Sequence, residues 1–281
     1  MPSILRFAVA ASCAVLAACG GGGDAEPAER PTTAALSVYL MVGQSTLHGA
    51  DATFTEDFVR DMAEADLQTD ADRSTLFTIG SPSITTSWGD IRGHNGTRLS
   101  EPMFNGKSVK VIGPEVGFAR EFGGNIAIIK FANNYQVLEA GRSAWVKPGS
   151  RWTQWQAFVD ERLATIGRPY KVAGLVWFQG IDDAVLQRTQ DEFTTDLTQV
   201  VADVHAKFGA MPVVVVRDVM TPYVSAPLMQ QIRAGQEAVG SLPGNAWINT
   251  DDLPVANVHH LTAEGQIEAG RRLARAIHAA R

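Results

Sequence analysis

A chain of 281 residues, 45% of them hydrophobic, is long enough for one or two globular domains. Binding of nucleic acid is not expected, because phosphate backbones select basic surfaces and this chain has a net charge of −6. Both cysteines precede residue 20, so the folded part is expected to have no disulfide, thiolate nucleophile or cysteine metal site. No apolar run approaches the roughly 20 residues that span a bilayer.

The N-terminal residues have the composition of an export signal. Arg6 precedes an apolar stretch from Phe7 to Ala18 that ends in small residues, and the sequence LAAC then resembles the lipobox of bacterial lipoproteins. We therefore expect residues 1–19 to be a signal peptide and Cys19 to be lipidated, anchoring an exported protein to the bacterial cell envelope. The alternative is an ordinary secretory signal with an incidental cysteine. Residues 20–35 are small, polar and proline-containing, which predicts a flexible linker.

Five nearly continuous apolar runs predict strands that are buried on both faces. They are LSVYLMV (36–42), NIAIIKFA (125–132), VAGLVWFQ (172–179), MPVVVVRDV (211–219) and AWINTD (246–251).

Helix-like stretches separate these runs, with proline near a start and glycine after an end. The last one is predicted to begin after Thr262, a good N-cap, with Glu264 in its first turn. Alternating strands and helices predict an α/β fold for residues 36–281: a three-layer α/β/α sandwich around a mostly parallel, flavodoxin-like sheet. The irregular region 50–112 is expected to add small elements and to shape a cleft.

Three polar clusters follow predicted strands or precede a helix: GQST (43–46), WFQG (177–180) and HH (259–260). In parallel sheets the working groups gather at such strand ends. A serine on a strand-to-helix turn, with a histidine to remove its proton, is the minimum for a serine hydrolase. The G-x-S-x-G elbow of α/β-hydrolases is absent, since Ser45 lies in GQSTL.

Five blocks, in order, carry a more specific pattern: VGQSTLHG (42–49), GPEVGFAREF (113–122), KFANNYQVL (130–138), GLVWFQGIDDA (174–184) and NVHHLTAEGQIEAGRRLA (257–274). They resemble the blocks of the sialate O-acetylesterase-like and plant-type carbohydrate esterases, within the SGNH hydrolase superfamily. The resemblance spans about residue 36 to the end. It implies the SGNH fold, hydrolysis of acetyl esters on carbohydrate, and no cofactor.

The resemblance implies that Ser45 is the nucleophile and that His260 is the general base. Asn257 occupies the position of the family's aspartate, which orients the histidine and stabilises its charge. An asparagine can orient an imidazole but supplies no charge. Asp251 or Asp252, or a Ser–His dyad without a third member, are the alternatives.

The resemblance also implies an oxyanion hole. Gln179 matches the residue whose side-chain amide helps to form it. Gly180, which follows it, and Gln44, which precedes Ser45, are expected to belong to the oxyanion hole or the substrate site. The backbone N–H of Ser45 and one from the loop of Asn133 and Asn134 are expected to complete it, because the tetrahedral intermediate of an ester needs donors aimed at its oxygen.

Several supporting residues depart from the family pattern. Thr46 replaces an asparagine, Ile181 replaces a glutamate, and side chains occupy the paired glycines of the 133–135 loop. Two hypotheses remain open: a working esterase with a rearranged supporting shell, and a non-catalytic member of the fold that binds carbohydrate at the cell surface.

Four other features favour ordinary structural roles. The pair His259–His260 has no further ligand at metal spacing, so no metal site is expected. Asp182 and Asp183 are expected to start a helix, and His48 to be a solvated loop histidine. Helix packing is the expected role of three tryptophans, Trp145, Trp152 and Trp155.

Overall fold

The computed structural model describes residues 35–49, 52, 76–80, 89–90, 97–99, 109–123, 126–132 and 144–281. The predictions for the signal peptide, for Cys19, for most of the linker, and for Asn133 and Asn134 therefore lie outside the described residues.

A seven-stranded sheet organises the domain in the order β3-β2-β6-β1-β7-β8-β9. All neighbours are parallel except β2 and β3, which are antiparallel. Two small antiparallel pairs, β4–β5 and β10–β11, lie outside this sheet. The strands are β1 Leu36–Gly43, β2 Leu76–Gly80, β3 Gly89–Asp90, β4 Thr97–Leu99, β5 Val109–Val111, β6 Ile126–Ala132, β7 Tyr170–Phe178, β8 Val213–Arg217, β9 Asn245–Asn249, β10 Val255–Asn257 and β11 His260–Leu261.

Helices cover both faces of the sheet. They are α1 Ser45–His48, α2 Glu115–Phe122, α3 Ser150–Ala164, α4 Ile181–Val185, α5 Gln190–Phe208, α6 Ala226–Gly240 and α7 Ala263–Ala279. Helices α3, α5 and α6 contribute to one hydrophobic core, and α2 and α7 to the other. None of the helices in the described ranges is long and apolar enough to cross a membrane.

Strand β1 shows why the predicted strands are almost continuously apolar. Val38, Leu40 and Val42 face one core, while Tyr39 and Met41 face the other. Side chains alternate across a strand, so a central strand needs an apolar residue at every position when both faces are covered. The three-layer α/β sandwich predicted from the sequence is confirmed.

Candidate active site

The nucleophile candidate lies on a tight turn at the carboxyl end of β1. Gly43 ends the strand, and a Cβ at that position would lie 2.4 Å from the carbonyl oxygen of Phe178 at the end of β7. Glycine is therefore required where the two strand ends meet. The one-turn helix α1 follows, in which Ser45 is partly exposed while the other three residues are buried. Ser45 is thus the one residue of this short helix that is not buried.

His260 reaches Ser45 from the far end of the chain. It begins β11, and the next residue, Leu261, is fully buried and anchors the segment in the core. The distance between His260 Nε2 and Ser45 Oγ is 2.9 Å, a hydrogen bond across 215 positions of sequence. The two residues that the family pattern pairs are thus in direct contact.

Helix α7 donates a hydrogen bond to the backbone of the turn that contains Ser45. Gln266, fully buried, donates through Nε2 to the carbonyl oxygen of Thr46 at 2.7 Å. The hydroxyl of Thr46 is buried and has no hydrogen-bond partner among the described residues, so it does not stabilise the turn through such a bond. Gln266 belongs to the final sequence block, but the block alone gave it no role.

The candidates for supporting His260 lie in different surroundings. Asn257 faces His260 across the β10–β11 pair. Asp252 accepts from both terminal nitrogens of Arg272 at 2.7 and 2.6 Å, and this lowers its pKa to about 2. Asp251 accepts two hydrogen bonds from Arg233 at 2.7 Å, which lower its pKa. Both carboxylates are thus engaged by arginines, whereas Asn257 is the direct strand partner of His260.

The loop after β7 presents Gln179 and Gly180 beside the serine turn. Gln179 is fully buried, and its Nε2 donates to Asp183 Oδ2 at 2.5 Å. The N–H of Gly180 donates to Gln44 Oε1 at 3.3 Å, and the N–H of Gln44 donates to Phe178 O at 3.1 Å. Gln44 therefore ties the β1 and β7 loops together.

The peptide group between Gln179 and Gly180 also accepts a hydrogen bond from a residue that lies outside the sequence motifs. Gln236 of α6, fully buried, donates through Nε2 to Gln179 O at 3.0 Å and to Asp218 Oδ2 at 2.8 Å. Its Oε1 accepts from the N–H of Asp218 at 3.0 Å. Burial raises the pKa of Asp218 to about 7, although Gln236 and Arg233 oppose the rise. Only the tertiary contact reveals Gln236 and Asp218, since sequence spacing gives no signal.

A buried ion pair lies behind the serine turn. Lys130 Nζ and Glu115 Oε2 are 2.8 Å apart, and their side chains are 0% and 1% exposed. Burial and the charge of Lys130 lower the pKa of His48 to about 3. The prediction that His48 is a solvated loop residue is wrong, because α1 turns it into the interior, where it is 4% exposed.

The structure also places the other residues that the sequence singled out. Asp182 and Asp183 lie in the first turn of α4, as expected. Ile181, at the family's glutamate position, is buried in the core, which explains an apolar residue there. No group of three or more potential metal ligands occurs within the described ranges. The tryptophans predicted to pack helices are buried in one core: Trp145, Trp152 and Trp155.

The sequence model of the family described as "Carbohydrate esterase, sialic acid-specific acetylesterase" matches residues 35–279. The chain belongs to this family. As a carbohydrate esterase it is a carboxylic ester hydrolase, and the resemblance found in the five sequence blocks is confirmed. No curated protein sequence matched the chain.

Solved structures share the fold at low sequence identity. A protein of Arabidopsis thaliana has a TM-score of 0.60 at 14% identity, covering 86% of this chain and 98% of that one. NanS has a TM-score of 0.56 at 12% identity, with 87% and 97% covered. A carbohydrate acetylesterase from Xanthomonas citri has a TM-score of 0.55 at 16% identity, with 86% and 56% covered. The carbohydrate esterase family therefore supplies the reaction class, and these structures support the fold.

Proposed function

We propose that this protein is a serine esterase that removes acetyl groups from carbohydrate, with Ser45 as nucleophile and His260 as general base. The observation that carries the proposal is the 2.9 Å contact between Ser45 Oγ and His260 Nε2 at the carboxyl edge of the sheet. A serine hydroxyl is a weak nucleophile until a base accepts its proton, and this distance allows direct transfer.

The proposed reaction has two halves. As Ser45 Oγ attacks the acetyl carbonyl carbon, its proton passes to His260 Nε2. The tetrahedral intermediate collapses when the sugar oxygen leaves with that proton, and an acetyl-serine remains. His260 then takes a proton from water, the resulting hydroxide attacks the acetyl-serine, and acetate is released as the proton returns to Ser45.

The surrounding residues are proposed to hold charge and geometry during these steps. The N–H of Ser45 and the second N–H of the Gln179 side-chain amide act as oxyanion donors, while the first N–H of that amide donates to Asp183 at 2.5 Å and fixes its orientation. Asn257 orients His260 without a charge. The substrates that fit the proposal are O-acetylated sialates and O-acetylated polysaccharides.

Acetate release tests the proposal. Wild type, Ser45→Ala and His260→Ala are assayed on 9-O-acetyl-N-acetylneuraminic acid and on acetylated xylan. Ser241→Ala is the matched control, because Ser241 is exposed and follows α6 at the amino-terminal end of the parallel strands, opposite the candidate site. Both site variants should lose at least about a thousandfold in kcat, while the control keeps wild-type activity. Unchanged turnover in Ser45→Ala would remove it from the mechanism. Sugar binding without turnover by wild type would favour the non-catalytic alternative.

We further propose that the protein is exported and anchored to the cell envelope by a lipid on Cys19. The basis is the apolar N-terminal stretch followed by LAAC. Feeding cells an alkyne fatty acid should label the full-length wild-type protein but not Cys19→Ala. Equal labelling of both proteins, or labelling of neither, would contradict lipidation.

A further inference from the structure

One exposed aromatic ring is connected to His260, the proposed general base, through a single intervening histidine ring. Tyr223 follows β8, whose carboxyl end is at the same sheet edge as those of β1 and β7. Its ring centroid is 5.5 Å from that of His259, and the His259 ring is 4.2 Å from that of His260. A short series of aromatic rings thus leads from the proposed general base to the surface.

The Tyr223 side chain is exposed although its loop is fixed. It is 68% exposed, the largest value among the large hydrophobic residues of the described ranges. Thr221 and Val224 on either side are buried, and the N–H of Tyr223 donates to Thr221 Oγ1 at 3.3 Å. A rigid backbone that presents a ring to solvent provides contact area with little loss of conformational entropy on binding.

We propose that Tyr223 forms a sugar-binding subsite, in which its ring face stacks against the pyranose ring that carries the acetyl ester. This inference rests on the proposed function and names the part of the substrate that is held. Aromatic faces are electron-rich, and the C–H face of a pyranose is apolar and weakly positive, so the two surfaces are complementary. The acetyl group then extends past His259 towards Ser45. The subsite selects for sugar esters over small esters, because only a sugar is large enough to cover the ring.

Kinetics on two esters separate binding from support of the loop. For the acetylated carbohydrate that wild type hydrolyses faster, Tyr223→Ala should raise KM about tenfold, within the range of one aromatic contact, with kcat within about twofold. Hydrolysis of ethyl acetate should not change. Tyr223→Phe should behave as wild type on both substrates. Tyr170→Ala is the matched control, since Tyr170 is 41% exposed at the start of β7, at the end of the strand that is remote from the candidate site.

Three results would overturn the subsite. These are an unchanged KM for the sugar ester in Tyr223→Ala, an equal loss on ethyl acetate, and a Phe variant as impaired as the Ala variant. If wild type releases no acetate at all, the proposed function fails while the subsite remains testable by binding. N-acetylneuraminic acid and xylotetraose are then titrated into wild type and Tyr223→Ala, with binding followed by saturation-transfer NMR. Tighter binding by wild type supports the subsite, and equal or absent binding contradicts it.

Discussion

Replacing Lys130 by methionine should destabilise the protein more than any surface ion-pair mutation. The substitution keeps a long apolar stem but removes the charge that pairs with Glu115 at 2.8 Å. With both side chains almost fully buried, the Glu115 carboxylate would remain in a low-dielectric interior without its cation. Breaking a buried pair in this way costs about 3–5 kcal/mol. For a domain of this size, that loss lowers Tm by roughly 6–20 °C.

Lys207→Met is the matched control. Lys207 pairs with Asp160 at 2.9 Å, but the two side chains are 24% and 48% exposed, so water screens the pair. Its loss should cost less than about 1 kcal/mol. Urea unfolding of both variants, followed by the fluorescence of the buried tryptophans, gives the two free energies. Adding Glu115→Gln to Lys130→Met should recover part of the loss, because it removes the stranded charge. Equal losses in the two single variants would mean that burial of the Lys130–Glu115 pair does not increase its contribution to stability.

Three further changes test individual contacts. Asn257→Asp should raise kcat/KM for acetate release if residue 257 supports His260, and lower activity would point to Asp251, Asp252 or a dyad. Thr46→Val should stabilise the protein by roughly 1 kcal/mol in urea unfolding, because it removes a buried hydroxyl that has no partner among the described residues; a loss of stability would mean that the hydroxyl is used. Folding raises the pKa of Asp218 to about 7 and so favours its protonated form. The free energy of unfolding is therefore highest, as far as Asp218 is concerned, below about pH 4, and it falls as the pH rises to about 7. Asp218→Asn should therefore gain roughly 4 kcal/mol over wild type between pH 4 and pH 8, and a pH-independent difference would contradict this.

The features that the sequence predicted best are those set by local pattern. The apolar run of β1 and the N-cap of α7 depend on neighbouring residues, and both are found: the Thr262 side chain accepts from the N–H of Gly265 at 3.2 Å. Pairing Ser45 with His260 needed the family pattern, because 215 positions separate them and no spacing rule brings them together.

The features that the sequence could not predict depend on tertiary burial. His48 is polar and follows a turn, which favours a solvated position, yet packing of α1 against the sheet buries it. Gln236 lies within a helix, where a glutamine is usually solvent-facing. It becomes part of the site only because α6 packs over the ends of β7 and β8. Burial of such polar groups follows from the fold rather than from any local signal.

Covalent trapping of Ser45 tests whether it is a nucleophile activated by His260. The protein is treated with a fluorophosphonate, which reacts with activated serines, and the modified peptide is located by mass spectrometry. We expect one adduct on Ser45 in wild type, none in Ser45→Ala, and labelling slowed at least about a hundredfold in His260→Ala. An unlabelled Ser45 in a folded wild-type protein, or labelling that His260→Ala leaves unchanged, would contradict it.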